Sequence, residues 1–343
     1  MKVILILVIA VTLMVAVESV NIRIENEMPH TPSTIKSDTA IRDMFFHWMK
    51  KHNKVYSSMN EFETRLANFK VNLAKIEKLS EKNPKANFSV NKFSDLTHTE
   101  FSGKFLMTDF QHSHHAGSRA KNYKTVVKSP YAVVDWRKKG FVNPVRDQGQ
   151  CGSCWAFSAT EEIETAWIMA GNSHVVLSEQ QVVDCDTADG GCGGGNPSTA
   201  YEYVMSAGGI ATDADYPYTA ENGDCRSDVN KTVQISGYTF ISQNADENVL
   251  IDAVAKKGPI SICVDASTWM NYNGGILTDC PTDIDHCVQV VGLDVDTTDQ
   301  SNPVPYYIIR NSWGTSWGIE GYIYVAQGSN LCGITNEATI VHI

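Results

Sequence analysis

The first 150 of the 343 residues contain no cysteine; all nine follow, at Cys151, Cys154, Cys185, Cys192, Cys225, Cys263, Cys280, Cys287 and Cys332. Thiol and disulfide chemistry is therefore confined to the second part of the chain. Basic residues are scarce there too. Residues 129–343 hold 9 Lys and Arg against 27 Asp and Glu, a net of −18. With an overall formal charge of −11, this argues against nucleic acid as the main partner, because phosphate binding needs a basic surface. Past the N-terminal residues no apolar run is long enough to span a bilayer. No second CxxC and no HxxxH accompanies the cysteines, which weakens a zinc reading, and no internal repeat is visible.

What is present is ordinary for a globular protein of about two domains: 43% hydrophobic and 20% charged residues. The average charge hides a split. Residues 20–128 carry 18 Lys and Arg against 11 Asp and Glu, a net of +7. A basic first part and an acidic second part suggest two units that attract each other, the alternative being two faces tuned separately for solubility. At the N-terminus, Lys2, an apolar stretch over 3–17 and the small Ser19 follow the secretory signal pattern. A signal-anchor is the competing reading, but 15 apolar residues are short for a bilayer. Export permits disulfides, and an odd number of cysteines then leaves at least one thiol free.

Residues 41–82 are helical in pattern. Phe45, Trp48 and Met49 share one face, and Phe62, Leu66, Phe69, Leu73, Ile76 and Leu79 recur at three- and four-residue intervals. Residues 88–96 alternate like a strand. Residues 109–128 have the composition of an exposed, easily cut linker; its His112, His114 and His115 could hold a metal, but a solvated tract is the expectation. Residues 154–171 then read as a helix with Trp155, Ala159, Ile163 and Trp167 along one side and Gly171 as its stop. Ser178 and Gln181 form a capping box before a second helix, and 196–207 reads as a third. From Thr232 onward strands dominate: VQISGYTFI, GPISICVDA, HCVQVVGL, YYIIRNSW and GYIYVA. The polar stretch 294–305 reads as an exposed loop whose carboxylates are too irregularly spaced for calcium. A helical half followed by a strand-rich half suggests an α+β protein with two lobes facing each other, where sites often form.

A thiol attacks a carbonyl only as thiolate, so a nucleophilic cysteine needs its pKa lowered. In Gln148-Gly-Gln-Cys-Gly-Ser-Cys154-Trp, a glycine-containing loop sets Cys154 at the start of the 154–171 helix. Unpaired N–H groups and the helix dipole favour negative charge there. A thioredoxin-like redox pair is the competitor, but the βαβ context it needs is absent. His286, in Asp-Ile-Asp-His-Cys, and Asn311, in Arg-Asn-Ser-Trp-Gly, complete a trio. An amide accepting from one imidazole nitrogen would fix the tautomer so that the other nitrogen faces the sulfur. Taken singly, His286 could be a satisfied core histidine and Asn311 a turn former.

Together these motifs resemble the papain family of cysteine peptidases, of the cathepsin L and F type, whose signature pairs C-G-[SA]-C-[WY] with a distant His and Asn. The first part resembles the family's propeptides: Glu61, Arg65, Phe69, Asn72 and Ile76 match the ERFNIN helix, with Ser80 at its last position. Asn91, Phe93 and Asp95 match GxNxFxD, with Ser89 in place of its first glycine. The resemblance implies a papain-like two-lobe fold, a helical left lobe and a β-barrel-like right lobe, preceded by a helical inhibitory propeptide. The expected divisions are a signal peptide over 1–19, a propeptide over 20–129 and a peptidase domain over 130–343.

It further implies Cys154 as nucleophile, His286 as general base and acid, Asn311 as its orienter, and Gln148 as oxyanion donor beside the Cys154 N–H. Trp313 would shield the His–Asn contact. Gly194 and Gly195 would pair with substrate as an added strand. Pro197, Ile284, Asp285, Cys263 and Cys287 would line the substrate cleft, with Glu337 at the floor of the S2 pocket, where it would accept arginine at P2 beside hydrophobic residues. Implied disulfides are Cys151–Cys192, Cys185–Cys225 and Cys280–Cys332; Cys263 and Cys287 are either two small wall residues or a fourth bridge. No metal and no cofactor is expected. The expected partners are protein and peptide substrates, the chain's own propeptide and cystatin-like inhibitors, the protein being a monomer with no membrane span once the signal is removed. The route is secretory, to a lysosome, a vacuole or the outside, with glycosylation sequons at Asn87 and Asn230. The propeptide would release at acidic pH, and with no occluding loop in the sequence the activity would be that of an endopeptidase.

Overall fold

The computed structural model describes residues 37–108, 110, 121–122, 132–243 and 246–343. The signal stretch and the His112–His115 tract lie outside them. The helical pattern over 41–82 resolves into two helices, α1 (Asp38–Lys51) and α2 (Met59–Lys82). The break has a local cause: Asn53 takes φ +50°, and the Ser58 hydroxyl accepts from Glu61 N to start α2 afresh. The two helices are joined by a buried aromatic cluster of Phe45, Trp48 and Phe69, with Leu66 completing it. The short β1 (Ala86–Phe88) and α3 (His98–Phe105) follow. The strand expected over 88–96 is not formed beyond Phe88. Asn91 Oδ1 accepts from Phe93 N and Ser94 Oγ accepts from Asn91 N, and these side-chain bonds fold the segment into turns.

The remainder begins with β2 (Lys121–Asn122) and β3 (Val134–Asp135). Three helices, α4 (Cys154–Met169), α5 (Glu179–Cys185) and α6 (Pro197–Ser206), build one lobe. Ser178 Oγ caps α5 by accepting from Gln181 N, whereas the Gln181 side chain turns away to Tyr203 and Gly209, so only half of the capping box forms. The second lobe holds β4 (Gly237–Ser242), α7 (Glu247–Lys257), β5 (Ile260–Val264), β6 (Tyr272–Leu277), β7 (His286–Asp296), β8 (Val304–Arg310), β9 (Tyr322–Ala326) and β10 (Glu337–His342). The expected loop at 294–305 shrinks to 297–303, because β7 and β8 pair as far as Asp296↔Val304.

The strand order is β1-β6-β9-β8-β7-β5-β10-β4-β2, with β3 on β7. The path is open, so the β-barrel-like right lobe is built on a sheet that does not close. Both outermost strands come from the N-terminal part: β1 pairs with β6, and β2 adds in parallel to β4. Sheet edges carry unpaired backbone groups, and here the chain's own first part covers them. The same region supplies core. Phe93, Phe101 and Phe105 pack with Trp269, Trp313 and Trp317 of the strand lobe in one buried cluster. Among the described residues two ion pairs cross the boundary, Lys92–Asp147 at 2.8 Å and Lys85–Asp296 at 3.3 Å, in the sense of the charge split.

Candidate active site

Helix α4 is apolar around Trp155, Ala156, Ala159 and Ile163 and is buried on nearly every side. It lies against β5 and β7, where the Ser158 hydroxyl meets Ser261 Oγ and Val288 O, both at 2.7 Å. This packing sets the first residue of α4, Cys154, beside the first residue of β7, His286. The approach of the chain to α4 needs glycine: a Cβ on Gly152 would lie 2.6 Å from Cys192 O and 3.0 Å from Leu106 O. Four disulfides claim every other cysteine. They are Cys151–Cys192, Cys185–Cys225, Cys280–Cys332 and, across β5 and β7, Cys263–Cys287. Cys154 is left as the free thiol.

His286 Nε2 and Asn311 Oδ1 are 2.7 Å apart. The amide oxygen can only accept, so Nε2 carries the proton and Nδ1 of the neutral ring is an open acceptor. Nδ1 has no hydrogen-bond partner among the described residues. The Trp313 ring lies 4.8 Å from the imidazole, centroid to centroid, and covers the His–Asn contact. Gln148 Oε1 accepts from Ser312 Oγ at 2.5 Å, Gln148 N donates to Ser312 O, and Ser312 N donates to Asn311 Oδ1. Ser312 thus ties Gln148 to the His–Asn pair. Sequence reasoning passed over it although it stands between Asn311 and Trp313.

The site is covered by the chain itself. Gln148 Nε2 donates to Phe105 O at 3.1 Å, Met107 N to Asp285 O at 2.8 Å, and Thr108 N to Gly193 O at 3.2 Å. The covering segment thus bonds Gly193, next to the Gly194 and Gly195 expected to pair with substrate. At Gly195 the backbone runs close to Trp155, whose ring a Cβ there would meet at 2.6 Å. Burial pushes the Cys154 thiol up to about 12, against N–H groups from Cys287, Trp155 and Cys154 that favour its anion. Burial likewise pushes His286 down to about 4, against its bond to Asn311. Burial thus favours the uncharged form of both groups while the site is covered. Asp285 is pushed up to about 7, again by burial.

Of the remaining expected residues, Cys263, Cys287 and Ile284 lie with Met107. That side chain is buried in one apolar cluster with Cys154, Cys263 and Cys287, and Ile284 packs against the cluster. Pro197 is the buried first residue of α6. Glu337 is 4% exposed and its Oε1 accepts from Asn196 Nδ2 at 2.6 Å. Asn196 was missed because its place before Pro197 marks a helix cap, which it also is. Asn87 and Asn230 are exposed. No cluster with metal-ligand geometry occurs among the described residues, and no helix among them is long and apolar enough to cross a membrane.

Comparison with known proteins agrees with this architecture. Residues 131–342 match the family described as papain family cysteine protease, and residues 45–101 match the cathepsin propeptide inhibitor domain (I29). A cysteine proteinase of Trypanosoma brucei brucei is 40% identical over 312 residues, 88% of this chain and 67% of its own length. Cysteine proteinase 1 of Dictyostelium discoideum is 39% identical over 321 residues, 86% and 91% of the two chains. The solved digestive procathepsin L2 proteinase from Tenebrio molitor larval midgut superposes with a TM-score of 0.80 at 32% identity, covering 88% of this chain and all of that one. The chain belongs to the papain family of cysteine proteases, and it carries the family's propeptide inhibitor domain ahead of the protease.

Proposed function

We propose that the protein is the zymogen of a cysteine endopeptidase in which Cys154, His286, Asn311 and Gln148 do the chemistry. The observation that carries this is the free Cys154 at the start of α4, beside a hydrogen-bonded His286–Asn311 pair. Once the covering segment leaves, water returns to both groups, and the largest cause of their shifts goes with it. A proton then passes from Cys154 Sγ to His286 Nδ1, the N–H of Cys287 and the helix start holding the thiolate. The thiolate adds to the scissile carbonyl, and its oxyanion accepts from the Cys154 N–H and from Gln148 Nε2, freed from Phe105 O. His286 gives its proton to the leaving amine, a thioester remains, and water activated by His286 hydrolyses it. Asn311 holds the ring through both steps.

Residues 1–19 act as signal and 20–129 as propeptide in this reading, with a cut between 128 and 131 freeing a monomeric enzyme of residues 130–343. Four disulfides favour an oxidising, secretory route to a lysosome, a vacuole or the outside, with glycans on Asn87 and Asn230. Protein and peptide substrates, and cystatin-like inhibitors, bind where residues 105–108 now lie. The P2 side chain enters the space that the Met107 side chain now fills, the Met107 pocket, and hydrophobic residues are preferred there. Glu337, held by Asn196, receives arginine.

A peptidyl epoxide incubated with the processed enzyme should label Cys154 alone, as read by mass mapping; label on Cys151 would instead mark a redox pair. In the same enzyme Glu337→Ala should lower kcat/KM for Arg at P2 about tenfold or more relative to Leu, in the range of a lost charge-assisted bond. An unchanged Arg/Leu ratio across pH would remove Glu337 from this role.

A further inference from the structure

The register of three neighbouring strands sets Glu337 of β10 opposite Cys263 of β5, and Cys263 opposite Cys287 of β7. Directly paired residues in antiparallel strands send their side chains to the same face. The three therefore form one row across the sheet, and its middle and one end are a single covalent unit, the Cys263–Cys287 disulfide. The Glu337 end meets Asn196 of the helical lobe. At the other end the Cys287 N–H donates to Cys154 Sγ at 3.4 Å. In the precursor Cys263 and Cys287 are at most 1% exposed and share their cluster with Met107, whose N–H is held by Asp285 O next to His286. Water and solutes thus meet the bridge only after the 105–108 segment has gone.

We propose that the Cys263–Cys287 disulfide is a redox-sensitive wall that sets side-chain selectivity in the Met107 pocket. The proposal rests on the reading of that pocket as the P2 site. Intact, the bridge ties two neighbouring side chains to each other, so neither sulfur can turn away from an incoming group. A dithiol reductant opens it: the bridge takes up two electrons and two protons to give two thiols, and the reductant closes to its own disulfide. Each cysteine then rotates about χ1 on its own, and the pocket yields to bulkier side chains. Packing differences of a methylene alter selectivity about tenfold or more; a freed rotamer should alter it by less, about threefold.

The test uses mature enzyme processed at acidic pH without reductant. Alkylation and intact-mass analysis should find one free thiol, Cys154. Brief dithiol treatment and desalting should add Cys263 and Cys287 to the alkylated set and lower the Leu/Phe ratio of kcat/KM at P2 about threefold. Cys263→Ala with Cys287→Ala should lower that ratio without dithiol and make it insensitive to dithiol. Free Cys263 and Cys287 before reduction, an unchanged ratio in reduced wild type, or an equal dithiol response in the double variant would each overturn the proposal. If Glu337→Ala still changes the Arg/Leu ratio in those cases, the P2 reading stands and only the wall falls. If no substitution or treatment moves any P2 ratio, the pocket assignment itself has failed.

Discussion

Among the described residues Ser312 hydrogen-bonds neither the sulfur nor the imidazole, yet three of its atoms organise the groups around them. Its hydroxyl donates to Gln148 Oε1, which turns the amide so that Nε2 faces the cleft, where it now meets Phe105 O. Its N–H donates to the same Asn311 Oδ1 that receives His286. The two residues should therefore respond differently to truncation. Gln148→Ala removes the proposed oxyanion donor and should lower kcat by about 10²–10³, with little change in KM. Ser312→Ala leaves the donor in place but loosens it; a neutral hydrogen bond is worth about 1 kcal/mol, or roughly fivefold in kcat. Steady-state kinetics on the two processed variants separate the roles. Equal losses would mean that Ser312 holds the fold of the loop and not the orientation of the amide.

At the scale of elements, α2 shows how the propeptide holds its shape. Asn72 Nδ2 donates to both Ser94 O and Leu96 O, and Arg65 Nη1 bonds Glu100 and Asp95 O. These bonds fix the turns that present Phe93, and Phe101 of α3, to Trp313. Asn72→Ala leaves two buried carbonyls short of a donor, a cost of about 1–3 kcal/mol, and should speed processing of the precursor. The proposed acid release follows the same contacts. Burial works to raise Glu100, but the Thr97 N–H and Arg65 hold its pKa below the usual value. Asp296 is lowered by Thr298 first and by Lys85 as well. Stabilisation from a depressed carboxylate is present above its ordinary pKa and is lost as pH falls through the folded one. That loss begins only below about 4.5 for Glu100 and 3.8 for Asp296, so the precursor should process faster at about pH 3.5 than at pH 7, and Asn72→Ala should narrow the difference; equal wild-type rates at both pH values would refute acid release. Much of this was legible in the sequence, because α2 and α4 advertise themselves by period: Phe69, Leu73 and Ile76 in one, Trp155, Ala159 and Ile163 in the other. The turn at 91–95 was not, since its alternation mimics a strand and only side-chain bonds from Asn91 and Ser94 decide against it. Nor could the sequence decide whether Cys263 bonds Cys287. That depends on the register of two strands 24 residues apart.

The whole molecule buries four glutamates around α4 and α5, and they divide by partner. Glu161 has Arg310 Nε at 3.1 Å and Glu179 has Arg146 Nη1 at 2.6 Å. Glu162 and Glu164 meet neutral donors instead: Gln289 Nε2 for the first, Asn143 Nδ2 and Leu177 N for the second. Burial penalises the charged form of all four, and the arginines offset only part of that. It pushes Glu161 up to about 7 and Glu162 up to about 8, and it raises Glu164 and Glu179 in the same direction. Folded protein then binds more protons than unfolded chain between the ordinary glutamate pKa, near 4.5, and about 8. Stability from such groups is complete at the acid end and declines as pH rises through the folded pKa. His286, depressed by burial to about 4, works in the opposite sense but only up to its ordinary value of 6.5. The Cys154→Ala precursor, which cannot digest itself in the proposed mechanism, should melt lower at pH 8 than at pH 6.5. A unit of pKa shift is worth about 1.4 kcal/mol, and each kcal/mol moves the midpoint by about 2–4 °C in a protein of this size class, so a fall of several degrees is expected. Glu162→Gln keeps the shape and removes the proton, and should flatten the slope between those two pH values. A melting temperature that rises from pH 6.5 to pH 8, or a slope unaltered by Glu162→Gln, would mean that these carboxyls are ionised in the folded protein.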